Sequence, residues 1–305
     1  MNNRRSAFRW CATLAFCLTL LSVARATDTP LSALASLARL QNIVANAGAP
    51  AQEVVLSPYA GPLRTITARV AGKDRTFLFD TGGGGSLLST KLVAETGYKP
   101  FGRVTAFRHD GGRMDLQRVG PTELTIGAFS RRDEFAVIDL DELLRGLPPI
   151  DGILSLETFA GRIITLDLGA NRLWIETPES ARARTTDAKE LKARVSRTAG
   201  GAGLDIFVAI EGQNGPLWFE LDSGSAAPVL IAPHAASELG IQNFNGAGPK
   251  RVTLNVDGLG PAEYEAQSKD MIYDGLLNAA FCARYVITFD LAGGRVWVKP
   301  GESKK

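Results

Sequence analysis

The chain has 305 residues, 45% of them apolar and 22% charged, with a formal net charge of +2. That composition excludes a disordered or fibrous chain and supplies enough apolar material for one large or two smaller cores. Three cysteines exclude a disulfide-dense scaffold and two histidines exclude a histidine-rich zinc site, so no metal or other cofactor is expected.

At the N-terminus, Arg4, Arg5 and Arg9 precede the apolar run Cys11 to Val23, which ends in Ala24-Arg25-Ala26. Charged, apolar and small residues in that order make a secretory signal, with cleavage after Ala26 and a periplasmic or secreted destination. The apolar run is shorter than the ~20 residues a membrane span needs, so retention as an anchor is the lesser alternative and no stable span is expected after cleavage. Arg4-Arg5 is not followed by residues that would make a twin-arginine signal. Removing residues 1–26 takes away four arginines and no acid, so the 34 basic residues fall to 30 against 32 acidic ones. No basic block is left to hold nucleic acid or an anionic membrane surface. Cys11 and Cys17 leave with the signal, so Cys282 has no partner for an intramolecular disulfide.

Residues 31–46 place Leu31, Leu34, Leu37, Leu40 and Ile43 at helical spacing, with Gly48 and Pro50 beyond. The segment 27–50 is therefore expected to be a lead helix packed on the body, with a propeptide as the alternative. The pattern then turns to short β-runs between glycine turns. Ile66 to Val70, Ala71-Gly72-Lys73-Asp74 and Phe77-Leu78-Phe79 predict a hairpin that delivers Asp80 at its end.

Asp80 opens the stretch Asp80-Thr81-Gly82-Gly83-Gly84-Gly85. An ionised carboxylate beside a buried strand needs donors or a proton, and four glycines let other groups come close at an entropic cost. A phosphate loop is excluded, because no Lys-Ser/Thr pair follows the glycines. A capped hairpin turn is the plain alternative, and the stretch alone does not decide between a turn and a site.

An internal repeat does. Residues 151–167, DGILSLETFAGRIITLD, match residues 274–290, DGLLNAAFCARYVITFD, and the register continues to Trp174 and Trp297. Upstream, Phe77 to Gly82 pairs with Phe219 to Gly224, the latter preceded by its own hairpin, Ile206 to Glu211 and Leu217 to Leu221. Each motif is followed by an apolar patch and a short helix, Lys91 to Thr96 or His234 to Leu239. The residues 176–203 between the repeats are charged, poor in large apolar residues and end in glycines, which is linker composition. The expected organisation is a first lobe at 51–178, a linker at 179–203, a second lobe at 204–300 and a tail at 301–305.

Two homologous lobes about a pseudo-twofold axis would bring Asp80 and Asp222 into one cleft. Carboxylates about 3 Å apart cannot both ionise cheaply, so they share a proton. The charged oxygen can then deprotonate a water while the protonated partner hydrogen-bonds the carbonyl under attack.

With Asp80-Thr81-Gly82, Asp222-Ser223-Gly224 and the Asp-Gly-Ile/Leu-Leu segments at 151–154 and 274–277, the chain resembles the pepsin-like and retropepsin-like aspartic proteases over nearly all of 60–300. More narrowly it is similar to exported bacterial proteins of retropepsin type. The resemblance implies a mostly β fold of two β-barrel lobes with short helices and a cleft between them. It also implies an aspartic endopeptidase acting on peptide or protein substrates as a monomer. Asp80 and Asp222 would be catalytic, Thr81 and Ser223 would bond across the lobes with Gly82 and Gly224 supporting them, and a hairpin flap would close over substrate.

Residues 103–119, turning at Asp110-Gly111-Gly112, are the flap candidate, with Phe107 and Met114 pointing inward. Against the family pattern, Gly84 and Ala226 stand where a serine or threonine bonds each aspartate. Ser155 and Asn278 replace the closing glycines of the second motif, and the flap has no tyrosine. These departures favour the alternative of a weak or inactive relative that binds a peptide or envelope partner. His109 and His234 are expected to be surface or capping residues, Asp151 and Asp274 structural, Asp167 and Asp290 strand ends, Cys282 a buried hydrophobe, and Trp174 and Trp297 core.

Overall fold

A computed structural model describes residues 51–244 and 248–301. The signal segment and the lead helix expected at 31–46 lie outside these residues.

Most of the described chain is strand, in three sheets. In the first lobe, Arg64–Val70 and Lys73–Phe79 form the expected hairpin, closed by Ala71 and Gly72 with φ of 52° and 76°. Its burial follows the alternation of the sequence, with Ile66, Ala68, Val70, Phe77 and Phe79 against the core. Phe77–Phe79 then pairs in parallel with Gly152–Leu154, which lies antiparallel to Leu87–Ser89. Phe129–Ile138 and Arg113–Ile126 follow. The sheet closes on itself through Arg69 opposite Thr125 and Val70 opposite Leu124.

The second lobe repeats this order. Gly203–Gly212 and Gly215–Leu221 are the hairpin, then come Gly275–Leu277, Val229–Ile231, Gly260–Ser268 and Lys250–Val256, with closure at Ile210 opposite Val256. The result is the mostly β, two-barrel fold that the resemblance implies. The short helices Thr90–Thr96 and Pro233–Glu238 sit at equivalent places. Ser89 caps the first, accepting from Leu92 N at 3.0 Å, and Gly97 ends it at φ +70°.

The third sheet joins the lobes. Its order is Gln52–Val55, Arg172–Ile175, Ile163–Asp167, Tyr285–Asp290, Arg295–Pro300 and Lys189–Leu191. At its middle Thr165 lies opposite Thr288, and their hydroxyls meet at 2.9 Å across 123 residues of sequence. That separation is the offset of the repeat, so the pseudo-twofold axis passes between these two threonines.

The charged segment read as a linker is built into the fold. Pro178–Thr185 is a helix with a Thr177–Ser180 capping box, Lys189–Leu191 extends the joining sheet, and Ala193–Thr198 edges the second barrel. Its few apolar residues reflect edge positions, where charge is compatible with a strand. From the helix, Arg184 pairs with the buried Glu176 and lies 4.1 Å over the ring of Trp174. Trp174 is accordingly half-buried beneath an arginine instead of in the core, as is Trp297 beneath Arg295. Cys282 is fully buried, and burial pushes its thiol up, away from reactivity.

Candidate active site

The local fold delivers both aspartates by the same device. The Asp80 amide bonds Leu154 O at 3.0 Å and the Asp222 amide bonds Leu277 O at 2.9 Å, so each residue leaves its strand where the parallel partner ends. Asp151 and Asp274 stabilise these crossings from below, accepting from Thr76 N at 2.8 Å and Trp218 N at 2.6 Å. His234 bonds Asp274 at 3.0 Å on the surface, consistent with a supporting role.

The two turns lock together across the axis. Thr81 Oγ1 donates to Leu221 O at 2.6 Å and accepts from Ser223 N at 2.9 Å. Ser223 Oγ donates to Phe79 O at 3.1 Å and accepts from Thr81 N at 3.0 Å. All four bonds lie in a fully buried setting, where each is worth more than at the surface and none can be replaced by water.

Asp80 and Asp222 sit above this lock, half-buried, with a side-chain hydrogen bond between them. Gly82 N donates to Asp80 Oδ1 at 2.9 Å and Gly224 N to Asp222 Oδ1 at 2.8 Å. Burial raises both carboxyls above the usual range. For Asp80 the bonds to Asp222 and to the amides of Gly82, Gly224 and Gly83 oppose that rise, while for Asp222 repulsion from Asp80 and Glu220 adds to it. The pair titrates as a unit and keeps a shared proton at pH values where an isolated carboxyl has lost its own.

The glycine run is explained by close approach. A Cβ on Gly82 would come within 2.7 Å of Asp222 Cγ, and one on Gly85 within 3.2 Å of Ala202 O in the other lobe. Gly84, at φ +60°, is not the position beside Asp80. A Cβ there would face Thr198 Oγ1 at 3.2 Å and the Asp205 carboxyl at 3.6 Å. The group beside the outer oxygen of Asp80 is Gly83, whose amide bonds it. The nearest groups to a side chain at 84 are thus Thr198 and Asp205, and Ala226 is exposed. Ser155 and Asn278 have work of their own. They cap the short helices that follow, accepting from Glu157 N at 3.2 Å and Phe281 N at 2.9 Å.

The flap candidate is a hairpin of Phe101–Phe107 and Arg113–Ile126, with Arg108 N bonded to Gly112 O at 2.8 Å. Its tip reaches the second lobe, where His109 O accepts from Ile272 N at 2.9 Å. Phe107, opposite Arg113 on the edge strand beside the turn, is 61% exposed, whereas Met114 is half-buried.

Two acids beside the dyad escape a motif-based reading. Asp205 and Glu220 are both 5% exposed. Burial raises Asp205 to about 7, with Asp80 adding repulsion, and raises Glu220 well above the usual carboxyl range, with Asp205 and Asp80 adding to it. A signal was present in the sequence: Glu220 interrupts Leu217-Trp218-Phe219-Glu220-Leu221 and shares strand parity with Asp222.

Residues 66–158 match the family model described as aspartyl protease. No curated protein matches the chain. Among solved structures, conglutin gamma, a basic 7S globulin from lupine seeds, aligns with a TM-score of 0.55 at 10% identity, covering 82% of this chain and 95% of its own. The basic 7S globulin from soybean aligns at 0.53 and 9%, covering 82% and 95%. The aspartic proteinase from Irpex lacteus aligns at 0.50 and 11%, covering 83% and 98%. At these identities the likeness is one of fold.

Proposed function

We propose that this chain, whose first barrel matches the aspartyl protease family and whose fold is the pepsin-like two-barrel fold, is an endopeptidase that hydrolyses peptide bonds with a water activated between Asp80 and Asp222. The observation that carries the proposal is the reciprocal lock of Thr81 and Ser223, which joins the two turns across the axis and brings the two carboxyls together above it. One carboxylate takes a proton from the water, and the protonated partner polarises the peptide carbonyl. As the tetrahedral intermediate collapses, the proton passes to the leaving amine and the dyad returns to its starting state. Both aspartates lie in one chain, so a monomer suffices.

One observation favours a binder without turnover: seed globulins share the fold with the proteinase. Incubating the protein with a mixed peptide library from pH 3 to 8 separates the two readings. We expect internal cleavage by the parent and none by the Asp80→Asn, Asp222→Asn double variant. A parent that cuts nothing across that range overturns hydrolysis in favour of binding.

Export to the periplasm or medium is proposed from the charged, apolar and small-residue order of residues 1–26. N-terminal sequencing of the exported protein should give Thr27, and an intact Met1 in the membrane fraction would refute it.

A further inference from the structure

Four carboxyls share one face of the second barrel and its cleft. Glu220 lies two residues before Asp222, so strand alternation points both the same way. In the neighbouring strand Phe207 lies opposite Glu220, and continuing that antiparallel register puts Asp205 opposite Asp222. Asp80 enters the same face from the first lobe and acts on both Asp205 and Glu220. Among the described residues, no lysine, arginine or histidine is a principal influence on any of the four.

The polar partners are few. Asp205 Oδ2 accepts from Thr198 Oγ1 at 3.2 Å and the Gly84 amide offsets part of the cost of burying the carboxyl, whereas Asp205 Oδ1, though buried, makes no hydrogen bond of normal geometry. Glu220 accepts from the hydroxyl of Tyr273, whose ring packs edge-on to Phe207 at 5.2 Å. Buried acids in a strand face are costly, and an unpartnered carboxyl oxygen more so. A hydrophobic residue at either place would form the barrel wall without that cost. What the face lacks is a counter-charge.

We propose that Asp205 and Glu220 form a subsite for a basic side chain, the lysine or arginine of a bound peptide, next to the position of the dyad. The inference rests on reading the cleft as a peptide site. The ammonium or guanidinium donates to Asp205 Oδ1 and to Glu220, taking on Glu220 the place that the Tyr273 hydroxyl fills in this structure. Tyr273 is placed to yield. It lies on the loop beyond Ile272, whose amide holds the flap tip, so opening of the flap and withdrawal of Tyr273 involve one segment. A cation there also changes protonation: Asp205 holds its proton up to about pH 7 without it, so binding at lower pH expels a proton and weakens. The basic preference therefore grows from pH 5 to pH 8.

The test uses pairs of peptides with a hydroxyethylene unit in place of the scissile amide, identical except for lysine or norleucine at each position flanking that unit. Norleucine keeps the alkyl chain and removes the charge. By calorimetry with the full-length exported protein, we expect one flanking position at which lysine binds at least about tenfold tighter than norleucine at pH 8, in line with charge-assisted bonds to a desolvated carboxylate. The margin should be smaller at pH 5. In Glu220→Gln and in Asp205→Asn, which keep the shapes and the bonds to Tyr273 and Thr198, the lysine advantage should fall while norleucine binding stays within about twofold. Equal or weaker binding of lysine at every flanking position in the parent overturns the proposal, whatever the variants do. Because binding is read without cleavage, loss of this subsite is distinguishable from failure of the hydrolase reading, which the library digest decides.

Discussion

Asp80→Asn and Asp222→Asn are each expected to lower peptide cleavage by about 10⁴-fold, and the double variant scarcely further, because in the proposed mechanism the pair works as one acid and base. Either amide removes the shared proton or its acceptor, and the remaining carboxyl cannot act as both. Stability should move the opposite way. Burial holds both carboxyls above their unfolded value of 3.8, so the folded state binds more protons than the unfolded chain once the pH passes that value. The dyad's contribution to stability is then fully present below about pH 4 and is lost as the pH rises toward the folded values. An asparagine does not titrate, so each variant should have a flatter pH dependence and a higher unfolding midpoint than the parent at pH 7. Urea midpoints from pH 3 to 8 decide this. A variant less stable than the parent at pH 7 would mean that the carboxyls are charged and paired in the folded state, contrary to the geometry.

The same sign applies to Asp205, whose window runs from 3.8 to about 7, and to Glu220. Four acids on one face thus make the neutral-pH fold pay for a charge pattern that only a ligand relieves. A basic side chain bound there would raise stability most at high pH, which ties the subsite to the dyad through a measurable quantity.

Most of the architecture was legible because it is written twice. The match of 151–167 with 274–290 marked two equivalent lobes, the resemblance made them β-barrels, and the structure places Thr165 and Thr288, equivalent in that match, at the axis. The dyad was legible for the same reason. What the sequence hid were features that exist only between elements. The segment 178–198 is polar because its strands lie at sheet edges, and composition alone does not distinguish an edge from a tether. Trp174 and Trp297 read as core because they repeat, yet arginines cover them. Gly84 read as a lost hydroxyl, but its neighbours Thr198 and Asp205 lie more than a hundred residues away in sequence, and no local pattern announces them. Glu220 was visible as a charge in a β-run; its partner Asp205 needed the register.

Gly224→Ala should strongly impair cleavage, and it tests the dyad contact without replacing a carboxyl. Gly224 does not have a positive φ, so alanine is allowed by the backbone and any effect is one of space. Its Cβ would stand 2.3 Å from Asp80 Cγ and 2.5 Å from both carboxyl oxygens. No rotamer of a single methyl relieves such an overlap, and Asp80 cannot retreat easily, since its turn is held by Thr81 bonded into the other lobe. Asp80 must therefore turn away or the lobes must part, and either breaks the shared-proton geometry. We expect a loss of at least about 10²-fold in kcat/KM, the scale on which misplacing a catalytic group by about 1 Å acts. Gly72→Ala is the control. At φ +76° it is strained but has nothing within 4 Å, so it should cost about 1 kcal/mol of stability and leave cleavage unchanged. If Gly224→Ala retains near-parental activity while folded, Asp80 does not occupy this position during turnover, and the pair seen here is not the arrangement that acts.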